Sequence, residues 1–407
     1  MDSTEVEIPS YFSCPISMQL MTDPVTLCTG ATYDRQSVEK WMFTLGNNTC
    51  PLTKQPLHNI ELTPNHTLRR LIQHWCVLNS SSGVQRISTP RPPLDADRLN
   101  KLLLDMASFQ VKALKKLRSL AGESESNRRL IASSAAPAAL ISVIESHSTE
   151  NDEVGCCYDA AVACEEALGI LYSLPLLDET LDSIATGKCL ASLASVLKRG
   201  TSNARFHAAM LLQTLTRKGL ERLVMNANGE LIEGLLELLT EEVCHQATVA
   251  ALEMLTAITS NSQHSRINAI EAGAVSVLIE SLPDQTPEKK CNCERMLCLL
   301  NVLCGCAEGR AAVADHAMGI PAVSKKIMRV SDLATEKAFR ILWLLCKLSL
   351  SKRVVDEMLQ TGVVTKLCLL LHSECTVKTK RKVNEMFKLH RTYWKSASCF
   401  PSLNFQE

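Results

Sequence analysis

The sequence predicts a mainly α-helical protein in which a small α+β domain precedes an α-solenoid. Three observations carry this. The chain is 46% hydrophobic but only 4% aromatic, and Leu and Ala dominate its second half, a composition that favours stacked helices over sheets. From about residue 95 a glycine-containing turn recurs ahead of a leucine-spaced helix, at Gly187, Gly229, Gly273, Gly319 and Gly362, in steps of 42, 44, 46 and 43 residues. Residues 8–76 share none of that rhythm and instead carry two Cys-Pro loops, a short helix and one amphipathic helix.

Bulk properties narrow the function classes. Lys+Arg and Asp+Glu each total 43, so no global field calls for nucleic acid or an anionic membrane. No apolar run approaches the roughly 18 residues needed to span a bilayer. The Met-Asp-Ser-Thr-Glu start lacks the basic and apolar regions of a signal peptide. The 18 cysteines are therefore expected as reduced thiols, in a cytoplasmic protein with nuclear or peripheral membrane recruitment left open. No two of them are three residues apart. Cys291-x-Cys293 and Cys304-x-Cys306, with Cys298 between, lie in an apolar helical stretch, where residues two apart point in different directions. They read as small buried hydrophobes, as do Cys156-Cys157. No metal and no cofactor is expected.

The first domain begins with Cys14-Pro15-Ile16-Ser17, and its second loop is Cys50-Pro51-Leu52-Thr53. Tetrahedral zinc takes ligands in C-x₂-C pairs, but Ser17 and Thr53 stand at the second positions, so neither turn chelates. A domain of about 70 residues usually needs a staple. Without zinc, hydrogen bonds and ion pairs from Ser17, Asp23, Thr32, Asp34, Arg35 and Thr53 must fix the loops. Gly30 suits a tight turn, Pro24 stiffens the first loop, and Cys14, Leu20 and Tyr33 read as core. Residues 37–43 read as a short helix capped by Asp34 or Ser37 and ended by Gly46. Leu68, Leu71, Ile72 and Trp75 follow the helical i, i+3, i+4, i+7 rule, with Asn65 placed to cap. Ile16 and Met18 alternate with polar neighbours on a loop, where an exposed apolar residue is informative.

These landmarks run in order from Ile8-Pro9 through Thr32-Tyr33-Asp34-Arg35 and Trp41 to Leu62-x-Pro64-Asn65-x-x-Leu68. They resemble a U-box, a zinc-less RING-like fold by which a class of ubiquitin ligases docks a ubiquitin-conjugating enzyme. The resemblance implies that Ile16, Met18, Trp41 and Pro51 form a shallow apolar groove for the ubiquitin-charged enzyme; the competing reading makes them ordinary core residues. Lys54 stands where RING-like ligases use a cation to hold that enzyme closed. Arginine bridges better through its planar fork, and a solvated surface lysine is the competing reading. Cys14, Asp23, Pro24, Tyr33, Asp34 and Arg35 are assigned structural roles. Ligases of this kind have no catalytic nucleophile of their own and act by proximity and orientation. Relatives also pair through this domain, which leaves homo-oligomerisation open.

The expected boundaries are 8–78 for this domain, 79–94 for a flexible linker, 95–395 for the solenoid and 396–407 for a tail. Ser, Gly and Pro mark the linker, whose Ser88 and Thr89-Pro90 are common phosphorylation patterns without weight of their own. A period in the low forties with three helices per unit is the armadillo pattern. HEAT repeats share the period, but the recurrent glycine before the third helix favours armadillo. An acidic insertion, His147 to Asp159, lengthens the first step. In that family the third helices line a groove that binds peptides or protein surfaces. The basic residues Lys378, Lys380, Arg381, Lys382, Lys388, Arg391 and Lys395 interleave with apolar ones, as a terminal capping helix requires. No nucleic-acid partner is expected.

A U-box followed by armadillo repeats resembles the short group of plant U-box ubiquitin ligases. That resemblance implies transfer of ubiquitin to a substrate protein held in the armadillo groove and to the ligase itself, in stress and immune signalling. Two rivals remain: a non-catalytic armadillo adaptor with a degenerate U-box, and a covalent transferase that carries ubiquitin on Cys14. The apolar setting of Cys14 is expected to raise its pKa and works against the second.

Overall fold

The structure is a computed structural model. It describes residues 8–82, 84–87, 94–106, 110–147, 157–219, 229–241, 244–282, 290–348, 352–373 and 376–395. Ser88, Thr89, Cys156, most of the acidic insertion and the expected tail lie outside the described residues. The chain forms two compact units, residues 1–139 with 173–177, and residues 140–172 with 178–407.

The first unit holds the two-loop domain together with the opening helices of the repeat region. Strands β1 (Pro24–Thr26), β2 (Thr32–Asp34) and β3 (Thr63–Pro64) form an antiparallel sheet of order β2-β1-β3. Val25 pairs with Tyr33 on one side and Pro64 on the other. Gly30, at φ 81°, makes the turn between β1 and β2 a shape few side chains tolerate. Helix α1 (Arg35–Glu39) starts earlier than expected and runs into a π-helical turn over Lys40–Thr44. Asp34 occupies its N-cap position but makes no capping bond, because its carboxylate is used elsewhere. Helix α2 (His66–Leu78) is capped as expected, Asn65 Oδ1 accepting from the Leu68 amide at 3.0 Å. Its Ile72 is buried while Leu68 and Trp75 pack at the edge of the core; Leu71 instead faces outward.

Phe12, Cys14, Val25, Tyr33, Val38, Met42, Cys50, Ile72 and Cys76 make the core of this domain. Val84 and Ile87, inside the segment expected as linker, pack against it. Beyond that segment come α3 (Ala96–Asp105), α4 (Gln110–Glu123) and α5 (Glu125–Ala132).

In the second unit helices recur in triplets, for example His245–Asn261, Gln263–Glu271 and Ala274–Glu280, then Lys290–Leu303, Ala307–Asp315 and Gly319–Lys325. Leu and Ala lead the core, with Leu193, Leu235, Ala250, Leu297 and Leu342 fully buried, and Ile, Val and Met fill in between them, as at Ile232, Met254 and Val323. The recurrent glycines are retained for different reasons. Gly273 starts its helix at φ 87°, whereas a Cβ on Gly319 would lie 2.0 Å from the Val313 carbonyl oxygen. The helices that stack in unbroken series are the long ones, from Ser202–Arg217 through His245–Asn261, Lys290–Leu303 and Asp332–Leu348 to Val377–Leu389. Side chains also ladder across these: Gln213 Nε2 donates to Glu253 Oε2 at 2.8 Å, and Arg295 lies 3.7 Å from the same carboxylate. Of the helices after the glycines, Gly187–Arg199 packs extensively on Gly229–Thr240, while Ala274–Glu280 and Gly319–Lys325 meet their neighbours in that series less closely. The end is closed by Trp394, fully buried with its Nε1 donating to the Val355 carbonyl at 3.3 Å, while Lys378, Arg381, Lys388, Arg391 and Lys395 are exposed.

Candidate functional site: a two-loop apolar platform

The two Cys-Pro segments fold into one repeated backbone shape. In the first, the Cys14 amide donates to the Gln19 carbonyl at 2.8 Å and the Met18 amide to the Cys14 carbonyl at 2.8 Å. In the second, the Cys50 amide donates to Gln55 at 2.8 Å and the Lys54 amide to Cys50 at 2.9 Å. Met18 and Lys54, at matching positions, both sit at φ 58°, a left-handed conformation that costs a residue with a Cβ about 1 kcal/mol or more. That cost is consistent with a requirement to aim these two side chains at solvent.

Where zinc would cross-link such loops, each cysteine sulfur instead gathers hydrogen-bond donors. The Asp34 amide donates to Cys14 Sγ at 3.3 Å. Burial pushes the Cys14 thiol up, but the amides of Ser17, Asp34 and Ile16 and the Ser17 hydroxyl outweigh it, and the net direction is down. The expectation of a raised pKa at Cys14 is thus reversed, because the sulfur's neighbours are backbone donors and not only hydrocarbon. Cys50 goes further. Burial opposes ionisation there too, yet hydroxyls of Thr29, Thr53 and Tyr33 bring the thiol down to about 6. Tyr33 Oη lies 3.0 Å from the Cys50 sulfur, its hydroxyl being one of those that lower the thiol, and Oη accepts from the Leu52 amide at 3.1 Å. Burial and this bond push the Tyr33 phenol up.

Two carboxylates complete the frame. Asp34 Oδ1 accepts from the Thr22 amide at 2.8 Å, the Thr22 hydroxyl at 3.0 Å and the Asp23 amide at 2.9 Å, tying β2 to the first loop. Asp23 takes Arg35 Nε at 2.7 Å and pairs with Arg69, tying that loop to α1 and α2. Pro24 opens β1, and its carbonyl accepts from the Asn65 amide at 2.9 Å. Thr32 and Thr26 hydroxyls meet at 2.9 Å. Hydrogen bonds to charged groups contribute about 1.5–3 kcal/mol each, enough to matter in a domain this small.

Above this frame lies the apolar surface. Met18 is 79% exposed; Ile16, Trp41 and Pro51 are half-buried, with Ile16 and Trp41 resting on the same core. Trp41 sits in the π-helical turn and its Nε1 donates to the Thr49 carbonyl at 2.8 Å, joining helix to second loop. Lys54 Nζ lies 5.4 Å from the Trp41 ring centre, within cation–π range. Leu52, 63% exposed, was not singled out from the sequence, although the internal match of Cys-Pro-Ile16 with Cys-Pro-Leu52 signals it.

Among the described residues no three His, Cys, Asp or Glu side chains gather as a metal site would need. Cys14 and Cys50 are both fully buried, so neither thiol is presented to a thioester, whatever its pKa. In the repeat region Cys293, Cys304 and Cys306 are buried and Cys298 half-buried, but Cys291 is exposed at a helix start, contrary to its reading as a buried hydrophobe.

Known proteins share this arrangement. The U-box domain family matches residues 8–81, and the family described as plant U-box protein ARM repeat region matches residues 99–407. E3 ubiquitin-protein ligase PUB23 of Arabidopsis thaliana is 40% identical over 406 residues, covering 98% of this chain and 96% of that protein. E3 ubiquitin-protein ligase PUB22 of the same plant is 38% identical over 424 residues, with coverage of 98% and 97%. U-box domain-containing protein 25, also from Arabidopsis thaliana, is 37% identical over 410 residues, with coverage of 97% and 94%.

Proposed function

This chain belongs to the plant U-box proteins with an armadillo-repeat region, and we propose from that membership how its two-loop platform serves a ubiquitin ligase. Ile16, Met18, Trp41 and Pro51 receive the ubiquitin-charged conjugating enzyme, with Leu52 extending the apolar surface. Lys54, aimed outward by its left-handed backbone, contacts the docked enzyme or its ubiquitin. Ubiquitin passes directly from that enzyme's thioester to an acceptor lysine, and the ligase supplies proximity and orientation, with no covalent intermediate of its own. The armadillo array holds the substrate protein, and lysines of the ligase are acceptors as well. The reading of the 18 cysteines as reduced thiols supports placing this activity in the cytoplasm, with nuclear or peripheral membrane recruitment left open, and the family resemblance supports stress and immune signalling; a fluorescent fusion confined to the secretory pathway would contradict the first.

The observation that carries the proposal is exposed hydrophobic surface on a rigid polar frame. Met18 costs backbone strain and stays 79% exposed among the described residues, which is accounted for if a partner covers it. A reconstituted ubiquitylation reaction tests this with Met18→Ala and Ile16→Ala beside the wild type. Met18→Ala is the cleaner variant, since Trp41 also ties the second loop through Thr49. Folded Met18→Ala and Ile16→Ala proteins should lose roughly tenfold or more in chain formation, as interface anchors do on truncation. Chain formation at the wild-type rate in both would sink the assignment.

A further inference from the structure

Glu39 lies two residues before Trp41 and has a role that its own domain does not explain. Its side chain is buried, with 3% of the residue exposed. Oε2 accepts from the Glu125 amide at 3.0 Å and Oε1 from the Ser126 hydroxyl at 2.8 Å, both in the first turn of α5. Arg35 stands 3.9 Å from the same carboxylate. Further along the helical segment, the Phe43 ring takes the Arg129 guanidinium 4.0 Å from its centre. Arg129 is one turn beyond Glu125 and lies 3.6 Å from the Glu125 carboxylate. The segment between the two partners is fastened at both ends, by Val84 and Ile87 on the U-box core and by the Leu94 amide, 3.4 Å from Asn127 Oδ1. All of these residues fall in one compact unit. A carboxylate on a helix N-terminus satisfies amides that otherwise have no partner, and a guanidinium stacked on a ring adds a second, separate contact.

We propose that Glu39 is a positioning residue for ubiquitin transfer: seated on the N-terminus of α5 and backed by the Phe43–Arg129 stack, it locks the conjugating-enzyme platform to the first armadillo helices. This rests on the ligase reading above. In a loosely tethered ligase, linker length would set which lysines the charged enzyme reaches. With the joint closed, the geometry of α1 on α5 sets it, and among the exposed lysines of α3 and α4, which are Lys101, Lys112, Lys115 and Lys116, some are favoured over others.

The test uses the full chain with a charged conjugating enzyme and two readouts. One is discharge of ubiquitin onto free lysine in solution, which needs only the platform. The other is mass-spectrometric mapping of self-modification at Lys101, Lys112, Lys115 and Lys116. Ser126→Asp places a second carboxylate against Glu39, while the charge still favours the first turn of α5, so the helix persists as the joint opens. In the double variant Glu39→Gln with Ser126→Asp, the new amide donates to the new carboxylate and closes the joint again. We expect S126D to change the modification ratio among the four lysines several-fold with free-lysine discharge unaltered, and the double variant to restore the wild-type ratio. An unchanged ratio in S126D would overturn the proposal. So would a parallel loss of free-lysine discharge that the double variant does not repair, because the joint would then only keep the U-box folded. A wild-type chain that discharges no ubiquitin at all would instead remove the ligase reading, and this inference with it.

Discussion

Cys14 and Cys50 in the U-box loops and the core cysteines of the armadillo array are buried alike to opposite effect. Cys76, in the U-box core away from the loops, is pushed up by burial as the array's are. In the armadillo array Cys189, Cys304 and Cys346 are fully enclosed in the apolar core, and burial pushes each thiol up to about 12. In the U-box, Cys50 is as fully enclosed, yet hydroxyl donors bring it down to about 6. The array spreads its stability over a continuous apolar stack, in which each unit relies on its neighbours. The U-box concentrates its stability in a few directed bonds that converge on Asp34, Asp23, Tyr33 and two sulfurs. A small domain without a metal needs such bonds, and a long solenoid does not.

If that contrast holds, polar substitutions in the two regions should differ sharply. The largest effect is expected at Asp34→Ala, which strands two amides and a hydroxyl and should cost about 3 kcal/mol in urea unfolding of the U-box. Next comes Tyr33→Phe, which removes the hydroxyl bonded to Cys50 and leaves the Leu52 amide without its acceptor, at about 2 kcal/mol. A loss below about 0.5 kcal/mol at both positions would break the comparison.

A smaller effect sharpens it by sign. The Cys50 pKa is depressed in the fold from 9.0 to about 6, so its contribution is complete above the unfolded value and disappears as pH falls through the folded one. U-box stability should therefore rise between pH 6 and 9, and Cys50→Ser should flatten that rise. The array cysteines, raised from 9.0, stabilise below that pH and lose the contribution as pH climbs toward 12. Unfolding curves across this range, in wild type and Cys50→Ser, read both slopes. The smallest effect is expected at Glu385→Ala, which removes a surface pair to Lys347 at 2.8 Å and should change stability by no more than about 0.5 kcal/mol.

Much of this was legible in the sequence, and the gaps have physical causes. The two loops were visible because Cys-Pro recurs with a hydroxyl residue, Ser17 or Thr53, where a second zinc ligand would stand, and the array because its glycines keep step. Asp34 reads from the sequence both as a helix cap and as one of the groups fixing the loops; only the second holds, because Thr22 and Asp23 take its carboxylate. Leu71 follows the helical stripe yet faces outward, because the apolar arc of α2 is wider than the core it meets. The Glu39 joint was invisible for a different reason: its partners lie 86 and 87 positions away, beyond any local pattern. Periodicity identified the repeat but not which of its helices would stack in series; only packing decides that.

The central claim is that hydrogen bonds to Cys14 and Cys50, and not a metal, hold the two loops. Metal analysis of the purified full chain, paired with thermal unfolding in a strong chelator, tests it most directly. The account predicts no stoichiometric zinc and an unfolding transition that the chelator does not shift. One zinc per chain, or a U-box transition that the chelator lowers, would contradict it.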